Sequence, residues 1–174
     1  MRWFINDCLV FNSCLYSAIS IFSPGLNATV QDLPRRSIGL GIPPSGPMDD
    51  LAFQASNIIV GNDPACEGIE IVLPSGQSNL AFSIFFHVES VIAVTGADAI
   101  VKIDGNEVTT WSRALVPAGS KVSILGAGTK MGTSQGLRAY MAVWGGFPHI
   151  PQYLGSKSTS MGNGGYQVGL LAII

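Results

Sequence analysis

Between Pro24 and Ser45 prolines and glycines recur so densely that this part of the chain should be extended or turning, and a single amphipathic helix follows it. Its sharpest stretch is residues 39–49, Gly-Leu-Gly-Ile-Pro-Pro-Ser-Gly-Pro-Met-Asp. Residues before proline avoid the helical region. A rigid loop directly before a helix N-terminus is suited to be a binding surface rather than a mere connection. Ser45 or Gly46 is placed to cap the helix, and Pro47 suits a first turn. Asp49 and Asp50 then meet the positive end of the helix dipole. The helix is predicted over about residues 47–60, with Leu51, Ala52, Ala55, Ile58 and Ile59 forming its buried face. Gly61 supplies the stop.

Outside this helix the hydrophobic period is that of strands. A short strand is predicted at Asn27–Gln31. After the helix, strands are predicted at Gly68–Leu73, Leu80–Phe86, Ser90–Thr95, Ala99–Ile103, Glu107–Trp111, Ala114–Pro117, Lys121–Leu125 and Leu137–Trp144. Asp104-Gly105-Asn106 reads as a hairpin turn. Gly126–Gly136 reads as a polar loop. The 174 residues include 21 Gly and only 11% charged side chains, which suits turn-rich β structure and a single core. The fold class is mainly β, a barrel or sandwich with one helix. Residues 24–167 form the domain, residues 1–23 an atypical N-terminal extension, and residues 168–174 an abruptly apolar tail.

Several function classes are excluded. The net charge is −2 and no basic run exceeds Arg35-Arg36, so nucleic acid has no electrostatic partner here. The three cysteines, Cys8, Cys14 and Cys66, are odd in number and form no Cys-x-x-Cys pair; they read as small apolar thiols rather than a disulfide framework or a zinc site. The two histidines, His87 and His149, lie far apart without clustered carboxylates, so no metal is expected. The apolar N-terminal stretch carries Asn6, Asp7, Asn12 and Ser13, which argues against both a signal peptide and a membrane span. The expected setting is cytoplasmic.

Several segments in order carry a resemblance. They are Pro24-Gly-Leu-Asn-Ala-Thr-Val-Gln-Asp-Leu, Gly41-Ile-Pro-Pro-Ser-Gly-Pro-Met-Asp, Asn57-Ile-Ile-Val-Gly-Asn, Gly68-Ile-Glu-Ile, Thr95-Gly-Ala-Asp, Tyr140-Met-Ala-Val-Trp-Gly-Gly-Phe and Tyr153-Leu-Gly-Ser-Lys-Ser-Thr. The series resembles the biotin-dependent carboxyltransferase family, which comprises the carboxyltransferase region of urea carboxylase (urea amidolyase), the KipA-type proteins and the C component of 5-oxoprolinase. The resemblance implies a cyclophilin-like β-barrel. It also implies transfer of a carboxyl group from carboxybiotin to urea, with biotin carried on a separate domain and charged by a biotin carboxylase. Two other roles come with the family: a component of an ATP-dependent 5-oxoprolinase, acting on a cyclic amide without biotin, and a non-catalytic KipA-type module that binds a KipI-type partner. The chain departs from the family pattern at Pro34-Arg35-Arg36-Ser37, where a glycine turn is missing, and the pattern spans only about the first half of the module.

Carboxyl transfer to a urea nitrogen needs donors for an oxyanion, hydrogen-bonding groups that hold the amide, and a route for one proton. Ser45 and the backbone amides of Gly46, Met48 and Asp49 are candidate donors, and the Asp49 carboxylate is a candidate acceptor of a substrate N–H. Glu70, between Ile69 and Ile71, suits a base if buried. Lys157 lies in Gly155-Ser-Lys-Ser-Thr, where an amine meets a carboxylate or carbonyl. That segment is no phosphate loop, because position 150 is Ile where the first glycine is needed. Gln31, Asp32 and Asp98 are further candidates, with strand-end hydrogen bonding as their alternative role.

Overall fold

The computed structural model describes residues 19–33, 44–73, 80–127 and 136–159. Cys8, Cys14, residues 34–43, most of the Gly126–Gly136 loop and the apolar tail lie outside the described residues. Within the described residues, ten strands and one helix form in the order β1 (Ile19–Pro24), β2 (Asn27–Gln31), α1 (Asp50–Val60), β3 (Gly68–Val72), β4 (Phe82–Phe86), β5 (Ser90–Gly96), β6 (Ala99–Ile103), β7 (Asn106–Val108), β8 (Ala114–Val116), β9 (Lys121–Gly126) and β10 (Arg138–Val143). They pair as two five-stranded antiparallel sheets, β1-β4-β9-β6-β7 and β2-β3-β10-β5-β8. The protein is therefore mainly β, as its alternation predicts, but the two sheets stack face to face, and among the described residues no ladder closes them into a barrel.

Period-2 alternation builds the core. Phe82, Ile84 and Phe86 of β4 and Val122 and Ile124 of β9 point into the space between the sheets, where Ile69, Ile71, Ile92, Val94 and Met141 meet them. Each such side chain contributes about 1.5–3 kcal/mol through burial. The Asp104-Gly105 turn has positive φ at both residues (49° and 87°), and Ile103 pairs with Asn106 across it. This is the primed geometry that matches strand twist.

Strand β1 takes in Ile19–Ser23 and pairs with β4, with a register shift between Ile21 and Ser23. Two expectations are corrected. Trp111 does not end a strand: β7 stops at Val108 and Trp111 stands in the turn beyond it. The helix starts later, and of the expected face Ala52 is buried and Ile59 packs on the core while Leu51 and Ile58 are not buried. Its N-cap is Asp49, whose Oδ1 accepts the Leu51 and Ala52 amides at 3.0 Å each, so neither Ser45 nor Gly46 caps it. Its buried side is Ala52, Phe53, Ser56, Asn57 and Val60, while Leu51 and Ile58 are 80% and 58% exposed. The cause lies in the sheet beneath. Small Ala93 and Ala142 let the helix approach closely, and Phe53 packs edge-on against Tyr140 at 6.2 Å. Asn57 is fixed by donating to the Cys66 carbonyl at 2.8 Å, and Ser56 by donating to the Phe53 carbonyl at 2.7 Å. Gly61 ends the helix in the left-handed region (φ 93°) as expected.

Candidate functional site

The outer face of the second sheet carries a row of polar side chains. Antiparallel register sets Thr29 opposite Glu70, Glu70 opposite Tyr140, and Tyr140 opposite Thr95. The start of α1 is fastened onto this row. Thr95 Oγ1 donates to the Ala52 carbonyl at 2.6 Å, the Asp49 N–H donates to the Tyr140 hydroxyl at 2.9 Å, and the Met48 N–H donates to Glu70 Oε2 at 2.8 Å. Arg138 Nε donates to Glu70 Oε1 at 3.1 Å. The Glu70 side chain is only 11% exposed and serves Arg138, Met48 and Tyr140 together. It is thus a carboxylate that positions its neighbours, and its oxygens are engaged where a general base needs one to be open. Burial, together with the Glu70 charge, pushes the Tyr140 phenol above its ordinary range, so it stays a neutral donor.

Above this row lies an open cleft of about 570 Å³. Its floor and walls include Asp49, Arg138, Tyr140, Gly96 and Asp98, and its rim carries Met48, Leu51, Trp111 and Leu137. These four rim residues are each at least half exposed. Gly96 (φ 90°) is required here, because a Cβ would sit 2.6 Å from the Arg138 carbonyl oxygen.

Of the residues singled out by sequence, the cleft brings together Met48, Asp49 and Asp98, with Glu70 behind its floor. Gly46 (φ 108°) is half-buried in the loop leading to it. Three others stand apart. Ser45 is buried and its hydroxyl donates to Ser156 Oγ at 2.8 Å. Ser156 and Ser158 in turn donate to Asp32 Oδ1 at 2.6 and 2.7 Å, and the Lys157 N–H donates to Asp32 Oδ2 at 2.7 Å. Lys157 Nζ pairs with Glu67 Oε1, at the opposite end of β3 from Arg138. Burial opposes ionisation of Glu67, but the hydrogen bonds from Lys157 and the Phe147 amide outweigh it and hold the carboxyl below its ordinary value. Burial and the Glu67 charge push the neighbouring Cys66 thiol up to about 11. Gln31 is buried on the outer face of β2; its Nε2 donates to Thr29 Oγ1 at 2.9 Å, and its Oε1 has no partner.

Sequence reasoning misses Arg138, Tyr140 and Trp111. Tyr140 and Arg138 are legible as strand residues, and only the pairing of β10 with β3 makes them neighbours of Glu70. Among the described residues no three His, Cys, Asp or Glu side chains gather as a metal site, and no helix is long and apolar enough to cross a membrane.

The carboxyltransferase domain, subdomain A and B, matches residues 40–172. The chain is 42% identical over 164 residues to urea amidolyase of Saccharomyces cerevisiae, covering 90% of this chain and 8% of that protein. It is 40% identical over 154 residues to a putative urea carboxylase of Emericella nidulans, covering 87% and 12%. Against the C component of the 5-oxoprolinase of Escherichia coli it is 33% identical over 156 residues, covering 88% of this chain and 46% of that one. Among solved structures, the urea carboxylase of Kluyveromyces lactis superposes with a TM-score of 0.71 at 35% identity, over 86% of this chain and 12% of that chain. The chain thus spans less than half the length of these relatives.

Proposed function

The chain belongs to the carboxyltransferase-domain family, and from that premise we propose that its cleft serves a urea carboxylase-type carboxyl transfer as part of a larger enzyme. The observation that carries the reading is the convergence of a guanidinium, a neutral phenol and two carboxylates on one open cleft: Arg138, Tyr140, Asp49 and Asp98.

This donor set fits a carboxylated cyclic ureide beside a small amide. Carboxybiotin, brought by a carrier domain, supplies the activated carboxyl group. Arg138 commits Nε to Glu70, and its remaining N–H groups are the cation available for the negative charge that develops on a ureido or carboxyl oxygen. The Asp98 and Asp49 carboxylates are the acceptors for amide N–H groups, Asp49 with the oxygen that does not cap the helix. Holding an amide on two carboxylates and a carboxyl on one guanidinium places the reacting atoms together, which is the larger part of what such a reaction asks of a protein. Glu70 and Tyr140 are positioning groups, fixing Arg138 and the helix start. Ser45, Gly46 and Met48 hold the loop, Lys157 and Gln31 support the far end of the sheet, and no step is assigned to them.

The partners in this reading are a biotin carboxylase and a biotin-carrier domain. The test incubates the full chain with carrier bearing a labelled carboxyl group, with and without urea. Urea-dependent loss of label, weakened in Arg138→Ala and Asp98→Ala, is expected; identical loss with and without the chain overturns the reading. The likeness to the 5-oxoprolinase component supports one other outcome. If 5-oxoproline, and not urea, protects the cleft from heat in the presence of partner proteins, the cleft takes a lactam instead.

A further inference from the structure

Trp111 lines the cleft at a conformational cost. Its backbone lies in the left-handed region (φ 57°), which a bulky side chain rarely adopts. It is held there by its own N–H, which donates to the Val94 carbonyl at 2.7 Å, and by the turn that Ser112 Oγ closes onto the Thr109 carbonyl at 2.8 Å. A glycine in this place would remove the strain. The indole is not used to fill the interior, since Trp111 is 52% exposed and stands on the rim of the cleft that contains Arg138 and Tyr140. Strain retained at an exposed aromatic residue that lines a cleft with Arg138, Asp49 and Asp98 points to a ligand with a flat face.

We infer that Trp111 is a positioning residue whose indole stacks on the planar ureido ring of the carboxyl carrier, setting that ring edge-on to Arg138. This deepens the reading of the cleft given above and rests on it. A planar ureide suits the site because its two faces are apolar enough to lie on an indole while its edge carries the oxygen and N–H groups that Arg138 and the carboxylates take. Met48, Leu51 and Leu137 on the same rim complete an apolar collar.

The experiment follows biocytin binding to the full chain by NMR. A ligand stacked on an indole has its ring methine protons shifted upfield by the ring current. The expected result is an upfield shift of the ureido-ring methines with the native chain and with Trp111→Phe. In Trp111→Gly and Trp111→Leu the shift is lost and affinity falls about fivefold, the equivalent of one stacking contact. Trp111→Gly is expected to melt no lower than the native chain, which separates a lost contact from a lost fold. Trp144→Leu, on the rim of a separate 270 Å³ cavity, is expected to leave the shift unchanged. Binding without an upfield shift, or a shift that survives in Trp111→Leu, overturns the stacking role and leaves the cleft reading standing. No biocytin binding at millimolar concentration overturns both.

Discussion

The Tyr140 hydroxyl accepts the Asp49 backbone N–H at 2.9 Å, so the cap of α1 is fastened to the central strand of the second sheet. Asp49 therefore works in two directions. Its main chain docks on the sheet, while its side chain binds the amides of Leu51 and Ala52. The cleft inherits its shape from this bond, because Met48, Asp49 and Leu51 line it together with Tyr140.

Tyr140→Phe removes an acceptor from the part-buried Asp49 N–H and a donor from Glu70, and is expected to cost about 1–2 kcal/mol. Urea denaturation measures it. Arg138 should then lose order with Glu70, so ligand affinity in the cleft falls along with stability. A Tyr140→Phe protein with the native midpoint would show that water replaces the hydroxyl.

Asp49 divides into cap and charge by substitution. Asp49→Ala should lose about 1 kcal/mol of stability, the usual size of a lost N-cap. Asp49→Asn keeps the cap and is expected to hold its melting temperature. Its binding of an amide N–H in the cleft should still weaken, since the carboxylate is the better acceptor. Equal stability of all three proteins would contradict the capping geometry.

Gly96→Ala tests how tightly the cleft floor is drawn. The added methyl would meet the Arg138 carbonyl oxygen at 2.6 Å and the Tyr140 ring at 3.0 Å, on a backbone at φ 90°. Overpacking and left-handed strain together are expected to cost about 2–4 kcal/mol. Calorimetry gives the loss, and the displaced Arg138 should weaken anion binding in whatever fraction remains folded.

The strands are legible because alternation of apolar and polar residues is written into each segment; Phe82, Ile84 and Phe86 declare their inward face without any partner. Register is not written in one strand, and so the Glu70–Tyr140 pairing is invisible there. The face of α1 escapes prediction for a related reason. A hydrophobic stripe predicts burial only where the opposing surface takes it; here Val60 packs on Ala93 and Ala142, and Ser56 and Asn57 are buried through hydrogen bonds to the Phe53 and Cys66 carbonyls. Lys157 announces an amine in a polar loop, but its partner Glu67 lies 90 residues away and carries no local signal.

That ion pair yields the sharpest test of stability. The two side chains are 15% and 14% exposed, and Glu67 also receives the Phe147 amide and the Cys66 thiol. Lys157→Met leaves a carboxylate in a poorly solvated site and is expected to cost about 3 kcal/mol, whereas Glu67→Gln with Lys157→Met together should cost much less. Denaturation midpoints of the four proteins close the cycle. The pH dependence follows from the directions of the shifts. The Glu67 carboxyl is lowered in the fold from its ordinary 4.5, so its contribution is present above that value and is lost as pH falls through the folded one. The Cys66 thiol is raised from 9.0 to about 11, so its contribution is present below 9.0 and is lost as pH rises through about 11. The native chain should therefore lose stability on both flanks. Lys157→Met removes the main donor that lowers Glu67, so its acid flank should flatten while its alkaline loss remains. An acid flank unchanged in Lys157→Met would show that the pair does not set the titration of Glu67.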